Sequence, residues 1–260
     1  MKQIVFVKKV SKGTRFNQIY VPKDMENDVE VGDIVEVKLL KKHLMIYRKN
    51  VPALNEFKEY LVKNIFSMLN EFEWIESAFI IGSFLFETVY NDIDLVVISE
   101  KTSDEKADEL EKKLTGRFSQ KFHVQILTED KLKKFVEKDL IMKSMFENFI
   151  SNIDIQTDYK SILDKNHIEF MLMMPSDLLK IRLESRTFYK TIRRLVTIER
   201  GLKNKKLDRK EIVNETDKMI KNDLLEKIRN NKEINNDELR SLRDIIRKKI
   251  NNIRNLMKDQ

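Results

Sequence analysis

Two short apolar runs lie close together in this chain, and what separates them constrains the fold more than any other feature. Ile80-Ile81 ends at Gly82-Ser83, and after eight residues Asp92-Ile93-Asp94 opens the run Leu95-Val96-Val97-Ile98. Apolar runs of this length, bounded by glycine and polar residues, read as buried strands. Carboxylates at i and i+2 on a strand project to the same face of the sheet. Asp94 lies inside an apolar run, where an unpaired carboxylate is costly, so a pair of exposed turn aspartates does not account for it. Such a pair is a hard-oxygen site suited to magnesium, which takes one or two carboxylates together with substrate phosphate oxygens. Glycine and serine at a strand-to-helix turn let the backbone approach a phosphate closely, and the next helix N-terminus adds donors.

The surrounding pattern predicts alternating elements. Pro52 suits a first helical position, and Leu54, Phe57, Leu61, Ile65 and Met68 recur at helical spacing. Strands are expected at Ala78–Ile81, Ile93–Ile98 and Phe122–Leu127. Between the last two, Thr102 and Glu105 form a capping box for a helix with Ala107, Leu110, Leu114 and Phe118 on one face. Residues 129–165 read as helical with a turn at Asn152-Ile153-Asp154. From Ser176 onward the chain reads as helices, with Gly201 the lone glycine there. Asp177 would cap a helix carrying Leu178, Ile181, Leu183, Phe188, Ile192, Leu195 and Ile198. Further helices are expected at 211–230 and 237–258, the last with Leu242, Ile245, Ile246, Ile250, Ile253 and Leu256 as a buried stripe.

The first 50 residues differ in character. Ile4–Val7, Gln18–Val21, Ile34–Leu39 and His43–Tyr47 read as short strands around breaks at Lys12-Gly13-Thr14, Pro22-Lys23-Asp24 and Val31-Gly32-Asp33. The order Gly13, Val21-Pro22-Lys23, Val31-Gly32-Asp33-Ile34-Val35 resembles the AbrB/SpoVT family of small swapped-hairpin domains. That resemblance implies an intertwined dimer whose basic loops contact DNA. Gly13-Thr14-Arg15-Phe16-Asn17 departs from the usual form of the turn, and an unrelated small β-barrel used for docking is the other reading. A segment this small buries too little surface to be comfortable alone, so it should pair with a second copy or lean on the rest of the chain.

The segment Ile80-Ile81-Gly82-Ser83 through Asp92-Ile93-Asp94 resembles the DNA polymerase β-like nucleotidyltransferase superfamily, over roughly residues 52–130. By that resemblance Gly82 and Ser83 bind a nucleoside triphosphate, and Asp92 and Asp94 bind Mg2+ and are catalytic. Three positions depart from the pattern. Glu87 stands where many small members have a second glycine, and the stretch from Ser83 to Asp92 is about two residues short. Gln125 occupies the place of the usual third carboxylate, with His123 on the same strand face. That acid helps bind the metal and can take the proton of the attacking hydroxyl. Either two carboxylates suffice, another acid such as Glu129 substitutes, or the domain binds nucleotide without turnover. His123 is a base, a metal neighbour or, as more commonly for a strand histidine, a packed side chain.

Charge is unevenly distributed. Residues 1–50 carry 11 Lys+Arg against 6 Asp+Glu, residues 51–175 carry 15 against 23, and residues 176–260 carry 24 against 14. Basic ends suit a polyanion such as nucleic acid, while solvated helix faces would show the same bias. Arg182, Arg186, Arg193 and Arg194 are spaced so that most share a helix face. They would hold phosphate or nucleic acid, or pair with the acidic middle. With no cysteine and three histidines, disulfide scaffolds, thiol nucleophiles and Cys-based zinc sites are excluded. No apolar run approaches the roughly 20 residues of a membrane span.

The expectation is therefore an α/β protein. It has a small N-terminal β domain (1–50), a central nucleotidyltransferase-type mixed sheet with helices (51–165) and a C-terminal basic helical bundle (166–260). Expected partners are a nucleoside triphosphate, nucleic acid and a second copy of the chain through the N-terminal domain, with no membrane and a cytoplasmic location. The expected activity is Mg2+-dependent transfer of a nucleoside monophosphate to a hydroxyl of a nucleic acid, protein or small molecule. The alternative is a nucleotide-sensing DNA-binding regulator or an antitoxin-like protein with an impaired transferase domain.

Overall fold

The computed structural model describes residues 6–25, 28–38, 44–155 and 159–258. The chain forms two compact units, Met1–His43 and Leu44–Gln260.

In the first unit, β1 (Ser11–Lys12) and β2 (Asn17–Gln18) pair antiparallel around Gly13, whose N–H donates to the Phe16 carbonyl at 3.1 Å. The expected strands are mostly not formed. Only Gln18 of Gln18–Val21 joins a ladder, and Ile34–Lys38 pairs with nothing among the described residues. Ile4, Val5, Leu39 and His43 lie outside the described residues. None of the described residues of this unit is buried.

The second unit is α/β. Its mixed sheet has the order β3-β7-β4-β5-β6, formed by β3 (Tyr47–Lys49), β4 (Ser77–Ile81), β5 (Ile93–Ile98), β6 (Phe122–Leu127) and β7 (Phe149–Ser151). β5 and β6 run parallel, and the other neighbours are antiparallel. Strand alternation sorts the apolar residues into two layers. Ala78, Ile80, Ile93, Leu95, Val97, Phe122, Val124 and Ile126 face α1 (Glu56–Leu69) and α2 (Asp104–Phe118). Phe79, Ile81, Val96, Ile98 and Leu127 face α3 (Glu129–Lys138) and α4 (Leu140–Phe146). Phe79 meets Phe146 and Phe149 edge to face at 5.4 and 5.3 Å, a favoured geometry for paired rings.

The remaining helices are α5 (Lys165–Asp177), α6 (Ser185–Leu202), α7 (Arg209–Asp217), α8 (Asn222–Arg229) and α9 (Asn236–Lys258). They share a third core, which Leu140 of α4 joins to the sheet. Gly201 permits that junction, because a Cβ there would lie 2.6 Å from a Leu140 methyl.

Several elements differ from the sequence expectation for local reasons. Tyr47 heads β3 and pairs with Ser151, so this strand belongs to the central sheet. α1 starts at Glu56 because the Asn55 side chain accepts from Lys58 N–H, which leaves Pro52 ahead of the helix. Ser103, not Thr102, caps α2 by accepting from Lys106 N–H at 3.2 Å. Thr102 instead accepts from Lys131 Nζ at 3.1 Å. The three-residue β7 interrupts the stretch 129–165, and the expected turn follows it, with Asn152 accepting from Ala78 N–H at 2.9 Å. Asp177 closes α5 instead of opening α6, and Ile181 and Leu183 are exposed in the connection. The expected 211–230 helix breaks at 218–221, where the turn buries Ile220 and Asp217 receives Tyr189 Oη at 2.8 Å and Arg229 Nη2 at 2.7 Å.

Candidate active site

Gly82 ends β4 with φ 83° and ψ −154°, a combination open essentially to glycine alone. A Cβ at this position would strike the Asp94 carboxylate. The turn backbone thus lies directly against that carboxylate, on the strand pair where Ile81 is opposite Asp94. Ser83 begins a single 3-10 turn, and its carbonyl accepts from Glu87 N–H at 2.9 Å.

The loop from Ser83 to Asp92 is held from beneath by Lys58 of α1. Its ammonium donates to the carbonyls of Phe84 and Glu87, the latter at 2.7 Å, and lies 5.0 Å from the Phe84 ring centroid and 5.1 Å from that of Tyr90. Burial lowers the Lys58 pKa, against the raising effect of Glu87. Phe84 and Tyr90 close the loop edge to face at 5.0 Å.

Asp92 precedes β5, and Asp94 is its second residue. Burial raises the Asp94 pKa above the ordinary carboxylate value, and the like charge of Asp92 raises it further, while His123 and Lys190 oppose the shift. A carboxylate in this position gains from any cation brought beside it. Asp92 and Asp94 are therefore the residues that could hold a hard divalent ion. Among the described residues no group of three or more His, Cys, Asp or Glu side chains is arranged to do so.

The β5–β6 register decides what stands beside them. His123 is level with Asp94, and Gln125 is level with Val96, one pleat repeat along the same exposed face. Glu129 begins α3 beyond Leu127, which pairs with Ile98. At about 3.3 Å per residue this puts it more than about 13 Å along the sheet from Asp94. Glu129 is thus no substitute third ligand.

The expected arginine group disperses. Arg182 lies outside α6 and reaches Asn236 Oδ1 and the Ile234 carbonyl, each at 3.4 Å. Arg194 is exposed and turned toward Met174. Arg186, Lys190 and Arg193 follow the i, i+4, i+7 spacing of one α6 face; Arg193 comes within 4.0 Å of Glu87, and the Lys190 charge favours the ionised form of Asp94. Sequence reasoning missed Lys58, Lys190 and Arg209. Lys190 was accessible through its spacing to Arg186 and Arg193. Lys58 reads as an ordinary exposed helix lysine, and nothing in the sequence ties Arg209 to this loop.

No family model, curated protein or solved structure matches the chain. No helix among the described residues is long and apolar enough to cross a membrane.

Proposed function

We propose that the chain is a Mg2+-dependent nucleotidyltransferase that moves a nucleoside monophosphate from a nucleoside triphosphate to a hydroxyl acceptor. The observation that carries this reading is the contact between the glycine-only turn at Gly82 and the Asp94 carboxylate, since it sets phosphate-binding backbone beside a cation-binding acid. The donor set fits one divalent ion completed by phosphate oxygens, because magnesium usually takes one or two protein carboxylates. When bound, that ion neutralises phosphate charge and makes the phosphorus more electrophilic.

The chain's own residues do the rest. Backbone N–H groups at Gly82-Ser83 orient the triphosphate, and Lys58 keeps their loop in place. The acceptor oxygen bonds to the α-phosphorus as the bond to the bridging oxygen breaks, and pyrophosphate leaves. The acceptor's proton passes to Asp94 or to His123, the two groups level with each other on β5 and β6. Incubation with each labelled nucleoside triphosphate and Mg2+ tests the reading, with pyrophosphate release and label on protein or RNA as readouts. Asp94→Asn should abolish both signals.

A second reading rests on Gln125 and His123, which leave the strand beside Asp94 without an acid. A chain that binds nucleotide without turnover would serve as a nucleotide-sensing DNA-binding regulator or an antitoxin-like protein. Both readings place the protein in the cytoplasm, with the N-terminal unit joining two copies and the basic termini meeting nucleic acid. The exposed apolar residues of that unit support self-association, and steep loss of DNA binding with salt would support the nucleic-acid part.

A further inference from the structure

Glu87 projects from the loop between Ser83 and Asp92 toward the helical part of the unit. Its Oε1 is 2.6 Å from Arg209 Nη2 and 4.0 Å from Arg193 Nη1. The Arg209 guanidinium lies over the Phe86 ring, 4.8 Å from its centroid. Burial lowers the Arg209 pKa and the neighbouring Arg193 charge lowers it further, so the two guanidiniums crowd one another. Two guanidiniums thus converge on one oxygen of a single carboxylate. A singly charged group leaves such a cluster under-neutralised, whereas a phosphate with its higher charge and several acceptor oxygens matches it, and guanidinium pairs suit phosphate in particular. The Glu87 side chain is 42% exposed, more than Arg209 at 20% or Arg193 at 28%. The carboxylate can therefore swing away into solvent while the arginines stay in place.

We propose that Arg193 and Arg209 form a phosphate-binding site and that Glu87 occupies it as a built-in competitor until a phosphate displaces it. The site rests on the proposed function and extends it, because Glu87 lies on the loop that runs from Ser83 to Asp92. The phosphate comes either from the tail of a nucleoside triphosphate or from the backbone of a nucleic-acid acceptor.

The test uses the full chain in EDTA, with tripolyphosphate and, separately, a single-stranded oligonucleotide lacking terminal phosphates as probes. Without a divalent ion Asp92 and Asp94 take no part, so failure here leaves the transferase reading standing, and the reverse also holds. Glu87→Gln should tighten binding of one probe by about fivefold, the size of a released partly exposed ion pair. Tightening of tripolyphosphate identifies the nucleotide tail, and tightening of the oligonucleotide alone identifies the acceptor backbone. Arg209→Met should weaken the same probe by about tenfold or more, as loss of a charge-assisted hydrogen bond does. Arg193→Gln leaves the Glu87–Arg209 pair intact and should weaken it by a few fold, so it serves if the loop in Glu87→Gln does not hold its fold. Unchanged or weaker binding of both probes by Glu87→Gln, or wild-type binding by both arginine variants, would overturn the proposal.

Discussion

The two units of this chain use similar apolar strand patterns to opposite effect. In residues 44–260 the alternating residues of β4, β5 and β6 are divided between two helix-covered layers, with Ile80, Val97 and Phe79 fully buried. In the unit ending at His43 the alternation is present too, yet Val31 and Ile34 are fully exposed and, among the described residues, only a two-residue ladder forms. Alternation specifies that one face needs cover, not that this chain supplies it. The larger unit has α-helices to provide that cover, and among its described residues the smaller one has only a three-residue 3-10 turn, Lys23–Met25. The contrast supports a second copy as the missing cover, because small segments that cannot build a core commonly gain one by association.

Removing residues 1–43 is expected to have the largest effect. The shortened chain should fold, because the described residues of its three cores all come from the second unit, but it should lose self-association in light scattering. Retention of the full-length oligomeric state would break the comparison.

Glycine substitutions sharpen it. Gly82 and Gly32 both have positive φ, but a Cβ on Gly82 meets Asp94 while one on Gly32 meets nothing within 4 Å. Gly82→Ala should cost about 2–5 kcal/mol from strain plus overlap and abolish nucleotide binding. Gly32→Ala should cost about 1 kcal/mol, from strain alone. Chemical denaturation of the two variants measures the difference.

A smaller effect is expected from Asp94→Asn in metal-free protein. Because the folded pKa of Asp94 is raised by burial, the fold favours its protonated form. Its ionised charge therefore destabilises the fold above that pKa, and the penalty fades as pH falls through it toward the ordinary value of about 4. Asp94→Asn should raise Tm at neutral pH by about 2 °C, and the gain should vanish in acid. Smallest of all, Val31→Ser and Ile34→Ser should change the stability of a dilute, dissociated chain by less than about 0.5 kcal/mol while weakening self-association.

The sequence made β4, β5 and β6 legible because each is an apolar run bounded by turn residues. Gly82, Ser83, Asp92 and Asp94 were legible because their chemistry is unusual for a strand pair. Other features depended on distant contacts. β7 is too short to show a period, and its pairing with β3 links residues about 100 positions apart. The cations around Glu87 come from α1, α6 and α7, which no local pattern connects. The level of His123 with Asp94 is a matter of register, and a parallel register between strands joined by a 15-residue helix is not written in either strand.

Calorimetry of nucleoside triphosphate binding, with Mg2+ and then with EDTA, tests the central claim most directly. The account predicts binding with Mg2+, none above the weak phosphate contribution in EDTA, and the same low level for Asp94→Asn in either buffer with its circular dichroism unchanged. Equal affinity in Mg2+ and EDTA, or wild-type binding by Asp94→Asn, would contradict it.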